Sequence, residues 1–139
     1  MPQVYQTKCK KLAGTDFREV NKKALAMYKI IKQKSKRRPY VRSIYFNKTK
    51  IFLSIFWQHT YDKNHYIDQF RRLKFFPCGI ELIQFTKYNP ESKENVDDRS
   101  EILHRFSGIT CENELFFVQI KEDKRTGEKF LISIFPVDK

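Results

Sequence analysis

Three β-type runs crowd the last third of this chain, and they constrain its fold more than any other feature. Glu101–Thr110, Leu115–Glu122 and Phe130–Phe135 are rich in apolar, β-branched and aromatic residues, as strands with one face toward a core are. The second and third are separated by Asp123-Lys124-Arg125-Thr126-Gly127-Glu128, a hairpin connection whose glycine can take a positive φ. An antiparallel sheet over 101–110, 115–122 and 129–136 follows. Its apolar face must be covered by other parts of the chain.

The cover comes from the residues before it. Asp16 stands as an N-cap with Glu19 three residues on, the spacing of a capping box. Phe17, Val20, Ala24, Met27, Tyr28 and Ile31 then recur at three- and four-residue steps, which predicts a helix over about 15–36. Pro39 disfavours helical geometry at Arg38 and sets the stop. Residues 1–14 are basic and without period, and read as a loose lead-in. Tyr40–Phe46 reads as a strand, Asn47–Lys50 as a turn, and Ile51–Leu53 as a second strand. A helical period returns from Phe56 to Arg72, with Trp57, Tyr61, Ile67 and Phe70 as buried candidates. Pro77 opens another short helix carrying Ile80, Leu82, Ile83 and Phe85. Residues 87–100 are polar and read as a surface loop. The fold class is α+β, N-terminal helices packed on a C-terminal antiparallel sheet. With 139 residues, 15% of them aromatic, one domain over 1–139 has material for a core, which runs over 38–136.

Charge is unevenly placed. Residues 1–74 hold 19 basic and 4 acidic side chains, a net of +15, whereas residues 75–139 hold 9 and 12, a net of −3. A basic half on a mildly acidic half is the footprint of a polyanion-binding surface, nucleic acid being the commonest polyanion. It is equally what a lysine-rich chain with a solvated basic face presents. Arg37, Arg38 and Arg42 flank Pro39-Tyr40, and Arg71, Arg72 and Lys74 form a second cluster. Phosphate contacts from such clusters position a nucleic acid, and aromatics stack unpaired bases. Tyr40, Tyr45 and Trp57 are candidate stackers that fit a core as well.

Other classes are disfavoured. Cys9, Cys78 and Cys111 are odd in number, far apart and without a CxxC pair, which fits neither a disulfide framework nor a structural zinc site. A reducing compartment, the cytoplasm, is the default. No run of about 18 uncharged apolar residues exists, so no spanning helix is expected. The first residues lack the apolar stretch of a secretory signal. His59, His65 and His104 form no HExxH motif, and no cofactor or metal is expected.

Chemistry concentrates on the sheet. By alternation His104 shares a face with Ile102 and Phe106, and Arg105 shares one with Leu103 and Ser107. An imidazole near its ordinary pKa can move protons in both directions at neutral pH. A lone histidine on an apolar face is also commonly a hydrogen-bonded core residue. Lys121, near the end of its strand, is a phosphate ligand or an edge-protecting charge. Ser133 donates to a phosphate oxygen or to backbone.

The stretches Ile102-Leu-His104-Arg105-Phe-Ser-Gly108, Phe116-Phe-Val-Gln119-Ile-Lys121-Glu122-Asp123 and Phe130-Leu-Ile-Ser133-Ile-Phe-Pro136 resemble the phage-associated nuclease domains of the barnase–EndoU–colicin–RelE group, over roughly residues 38–136. The resemblance implies a small metal-independent ribonuclease, a toxin or mobile-element effector acting on a structured RNA such as tRNA, with an acidic immunity or antitoxin protein as a further partner. His104 would then be the catalytic histidine, with Lys121 and Ser133 supporting it. If a second histidine is needed, it is His59 or His65. The 2′-hydroxyl of RNA would be the nucleophile, His104 would move protons, and Lys121 or Arg105 would hold charge on the phosphorane. Arg105 points away from His104 in a regular strand, so Lys121 ranks above it. Two readings need no catalysis: a nucleic-acid-binding protein on a related fold, and a basic module that binds an acidic protein.

Overall fold

The basic first residues are not a loose lead-in. In the computed structural model of the protein, which describes residues 3–35, 37–60 and 66–137, Tyr5–Gln6 form a short strand, β1. The segment after it is tied down at several points. Thr7 N–H donates to the Ile109 carbonyl at 2.9 Å, and Leu12 N–H to the Lys74 carbonyl at 2.8 Å. Both oxygens of the Glu81 carboxylate accept from the Lys8 and Cys9 amides and one from the Tyr5 hydroxyl. Contacts this distant in sequence leave no local periodicity, so the segment reads as unstructured until its partners are known.

Helix α1 (Phe17–Lys34) starts where its cap requires. The Asp16 carboxylate accepts the Glu19 N–H at 2.9 Å. The Glu19 carboxylate reaches back to the Thr15 N–H at 3.3 Å, one residue before the usual capping-box position. Val20, Ala24 and Tyr28 are buried, with Phe17, Met27 and Ile31 packed against the core. Strands β2 (Tyr40–Ser43) and β3 (Thr49–Phe52) follow as a hairpin. Asn47 and Lys48 take the positive φ values its turn needs, 58° and 65°. Helices α2 (Ser54–Thr60), α3 (Tyr66–Lys74) and α4 (Phe76–Phe85) come next, with Pro77 in the first turn of α4. Tyr61 lies outside the described residues, as does the side chain of Ile67. Gly79 lets α4 approach the sheet, because a Cβ there would collide with the Ile134 side chain.

The polar stretch 87–100 is not a loop throughout. Glu91–Asn95 form β4, and β5 (Asp98–Ile109) begins after a two-residue turn. Glu91, Ser92, Lys93 and Glu94 are all exposed. An edge strand wet on both faces has no apolar alternation to betray it. Strands β6 (Leu115–Asp123) and β7 (Lys129–Pro136) complete the set, joined by a loop in which Gly127 takes φ +77°.

Among the described residues the strands make one curled sheet in the order β1-β5-β6-β7-β3-β2, with β4 also paired to β5. The C-terminal strands pair antiparallel as expected, but the sheet is mixed, because β1 joins β5 and β3 joins β7 in parallel. These two pairs join segments far apart in the chain, so no hairpin fixes their direction. The class is α+β. Phe106, Phe116, Val118, Ile120, Leu131 and Ile134 turn one sheet face toward the buried residues of the helices. Burying each such side chain contributes about 1.5–3 kcal/mol.

Candidate nucleic-acid interface

The pairing register sorts the candidate site residues onto two faces. His104 lies opposite Ile120 on β6, which lies opposite Leu131 on β7, so His104 belongs to the core face. The residue is 8% exposed, and its ring meets the edge of Phe46 at 5.1 Å between centroids. Nδ1 lies 2.6 Å from the Ser92 hydroxyl and Nε2 2.9 Å from the Glu122 carboxylate. Both nitrogens are therefore engaged. In the neutral tautomer whose Nε2–H donates to Glu122, Nδ1 accepts from the Ser92 hydroxyl. The imidazole stitches β4, β5 and β6 together.

Arg105, Lys121 and Ser133 lie on the opposite face. Lys121 pairs across from Leu103, and Arg105, Gln119 and Ser133 form one cross-strand row. Ser133 reaches that row through a bulge. Gln119 faces Ser133 and Ile120 faces Leu131, which leaves Ile132 unmatched and moves Ser133 from the face implied by simple alternation. The fold thus separates His104 from Lys121 and Ser133. The expectation that Lys121 suits the histidine better than Arg105 does is corrected here, because both point away from it.

The open face is an aromatic surface edged with cations. Phe117 and Phe135 are cross-strand neighbours with ring centroids 5.5 Å apart. The Arg105 guanidinium lies 5.3 Å from the first ring and 5.7 Å from the second. Arg72, at the end of α3, lies 5.4 Å from the Phe135 ring. A second row crosses four strands, from Lys121 through Phe130 and Phe52 to Tyr40. Lys121 lies 5.5 Å from the Phe130 ring, Arg38 3.8 Å from that of Phe52, and Arg42 5.5 Å from that of Tyr40. These five rings are half-buried, so each presents part of a π surface to solvent.

Three of the predicted basic residues, Arg38, Arg42 and Arg72, therefore converge with Arg105 and Lys121 on this face. Arg38 is ion-paired to Glu128 at 2.7 Å and Lys121 to Glu101 at 3.2 Å. Such partly exposed pairs are worth about 0–1 kcal/mol and can be exchanged for phosphate. Among the described residues no carboxylate lies within ion-pair reach of Arg105. Arg37 is exposed just before β2. Arg71 and Lys74 flank a separate depression with Lys11 and Glu114. Trp57 is buried against Tyr28 and Tyr45 packs on Phe106, so neither is a base stacker. His65 and the side chain of His59 lie outside the described residues.

Sequence reasoning missed Phe117, Phe130 and Phe135 as surface aromatics. The available signal was the doublet Phe116-Phe117: two successive strand residues cannot face the same core, so one of them marks the other side.

The three cysteines are brought together although distant in sequence. The thiols of Cys78 and Cys111 approach the Cys9 carbonyl at 3.6 and 4.0 Å. Burial pushes the Cys9 and Cys78 thiols up, which keeps them protonated and poorly nucleophilic. No family model, curated protein or solved structure matches the chain.

Proposed function

We propose that the protein binds single-stranded RNA on the open face of its sheet. The observation that carries this reading is the packing of Arg105 and Arg72 around Phe135, beside Phe117. Aromatic rings flanked by guanidinium groups offer stacking to unpaired bases and charge to the phosphates between them. Gln119, Ser133 and Ser107 put hydrogen-bonding groups among the rings, of the kind that pair with base edges and ribose hydroxyls. A platform of separate half-buried rings does not fit a closed duplex, whose bases are stacked on each other. The test is fluorescence anisotropy with a labelled oligouridylate and a hairpin duplex of equal charge. Preference for the single strand supports the reading, and equal or weaker binding to it rejects it.

A second reading, the metal-independent ribonuclease of the barnase–EndoU–colicin–RelE type, is favoured by the hydrogen-bonded series Ser92, His104 and Glu122, which sets an imidazole between a hydroxyl and a carboxylate. It requires substrate to reach a ring that is buried and engaged at both nitrogens, so it stands second. Incubation of total RNA with the protein in EDTA tests it: discrete fragments that disappear with His104→Ala would put it first.

A further inference from the structure

The outer edge of β2 adjoins the aromatic platform at Tyr40 and Arg42 and carries a different chemistry beyond them. Beside it, between the C-terminal ends of α1 and α4, runs a groove of about 510 Å3. Ile30, Ile44 and Phe85 line it and are 54%, 38% and 54% exposed. Among the described residues, half of the six exposed large hydrophobic ones thus meet in this one place, a concentration that marks interaction surfaces more than ordinary monomer surface. Lys34, Arg42 and Lys48 supply the charge along the groove, and among the described residues no carboxylate lines it.

The backbone adds direction. Leu53 N–H donates to the Pro39 carbonyl at 3.0 Å, so the alternate residues Tyr40 and Arg42 turn their N–H and C=O groups away from β3. Tyr40 N–H donates to the Ser35 hydroxyl at 3.2 Å and Ile44 N–H to the Gln84 carbonyl at 3.4 Å. Between these two capped positions, the Arg42 N–H and C=O face outward along the groove. An extended peptide satisfies both with one residue, and its alternate side chains then point into the groove and over its rim.

We infer that this edge takes an extended acidic segment of a partner protein as an added strand, with apolar residues against Ile30, Ile44 and Phe85 and carboxylates against Lys34, Arg42 and Lys48. A second copy of the chain is a poor occupant, since two molecules of net charge +12 would meet and edge-to-edge pairing would bring their Arg42 side chains together. RNA fits less well, because its backbone does not match the hydrogen-bonding pattern of a strand edge. The inference does not rest on RNA binding on the open face, although Arg42 borders both surfaces.

Random peptides displayed on phage and selected on the full chain provide the test. Sequences alternating Val or Ile with Asp or Glu should be enriched. The enriched peptide, made synthetically, should slow hydrogen exchange at the Arg42 amide. Its affinity should fall by about tenfold or more in Phe85→Glu and in Arg42→Glu, both of which alter exposed side chains. Four outcomes overturn the inference: no acidic–apolar pattern in the selected pool, equal binding to both variants, oligouridylate binding that falls as far as peptide binding in Phe85→Glu, or sedimentation of the free chain as a dimer that Phe85→Glu dissociates.

Discussion

His104 and Lys121 occupy opposite faces of the same strand pair. Lys121 stands across from Leu103, and His104 across from Ile120. A proton shuttle and a phosphate ligand placed this way are separated by the thickness of the sheet. On its own face His104 bonds Ser92 on one side and Glu122 on the other.

His104→Ala should therefore cost stability before it costs binding. The change removes a buried ring and leaves the Glu122 carboxylate without its partner, a loss of about 2–4 kcal/mol. Urea denaturation should show it, with His104→Gln losing less because an amide can keep one of the two bonds. Oligouridylate affinity, measured where each variant is folded, should stay unchanged. Native stability together with lost RNA cleavage would instead support the ribonuclease reading.

Phe117→Ala and Phe135→Ala should each weaken single-stranded RNA binding by about 1–3 kcal/mol. Arg105→Lys separates stacking from charge, because lysine keeps the positive charge without the planar guanidinium. Affinity should fall while the salt dependence is retained. Equal affinity for all three variants and the parent would remove the open face as the binding surface.

Much of the fold was legible because it rests on local patterns. The cap at Asp16, the stripe from Val20 to Tyr28 and the glycine at 127 each determine their element within a few residues. β1 was not legible, since two residues carry no period and are held by the distant Glu81 and Ile109. β4 was missed because its residues are all polar, as an exposed edge requires. The bulge at Ile132 reassigns Ser133 to the other face, and no composition rule signals one inserted residue. The site divides in the same way. Arg38, Arg42 and Arg72 were visible as charge, but their convergence depends on parallel pairing of β3 with β7 and on where α3 ends. Phe117, Phe130 and Phe135 looked like core because aromatic strand residues commonly are.

Salt should report how many phosphates are held. For single strands the slope of log affinity against log salt is roughly −0.7 per contact. Arg71→Ala combined with Arg72→Ala should flatten it, and Arg42→Ala should do so independently. Glu101→Gln and Glu128→Gln should strengthen binding, since each frees a cation, Lys121 or Arg38, from its ion pair. Weaker binding in the two glutamine variants would mean that these pairs position the face rather than compete with phosphate.

The clasp at Glu81 predicts how stability responds to acid. Burial pushes the Glu81 carboxyl up, but hydrogen bonds from the Tyr5 hydroxyl at 2.7 Å and from the Lys8 and Cys9 amides at about 3 Å outweigh it and hold the group below the ordinary glutamate range. A carboxyl whose folded value is depressed contributes fully above its unfolded value, about 4.3. That contribution is lost as pH falls through the folded value. Acid should therefore loosen the N-terminal segment, and exchange at the Lys8 and Cys9 amides should exceed the intrinsic change below about pH 4. Glu81→Gln should lower stability at neutral pH and flatten the acid limb of the stability curve. Tyr5→Phe, by removing one bond to the ionised form, should move that limb to higher pH. Parallel acid limbs for the parent and Glu81→Gln would show that the carboxylate does not hold the segment.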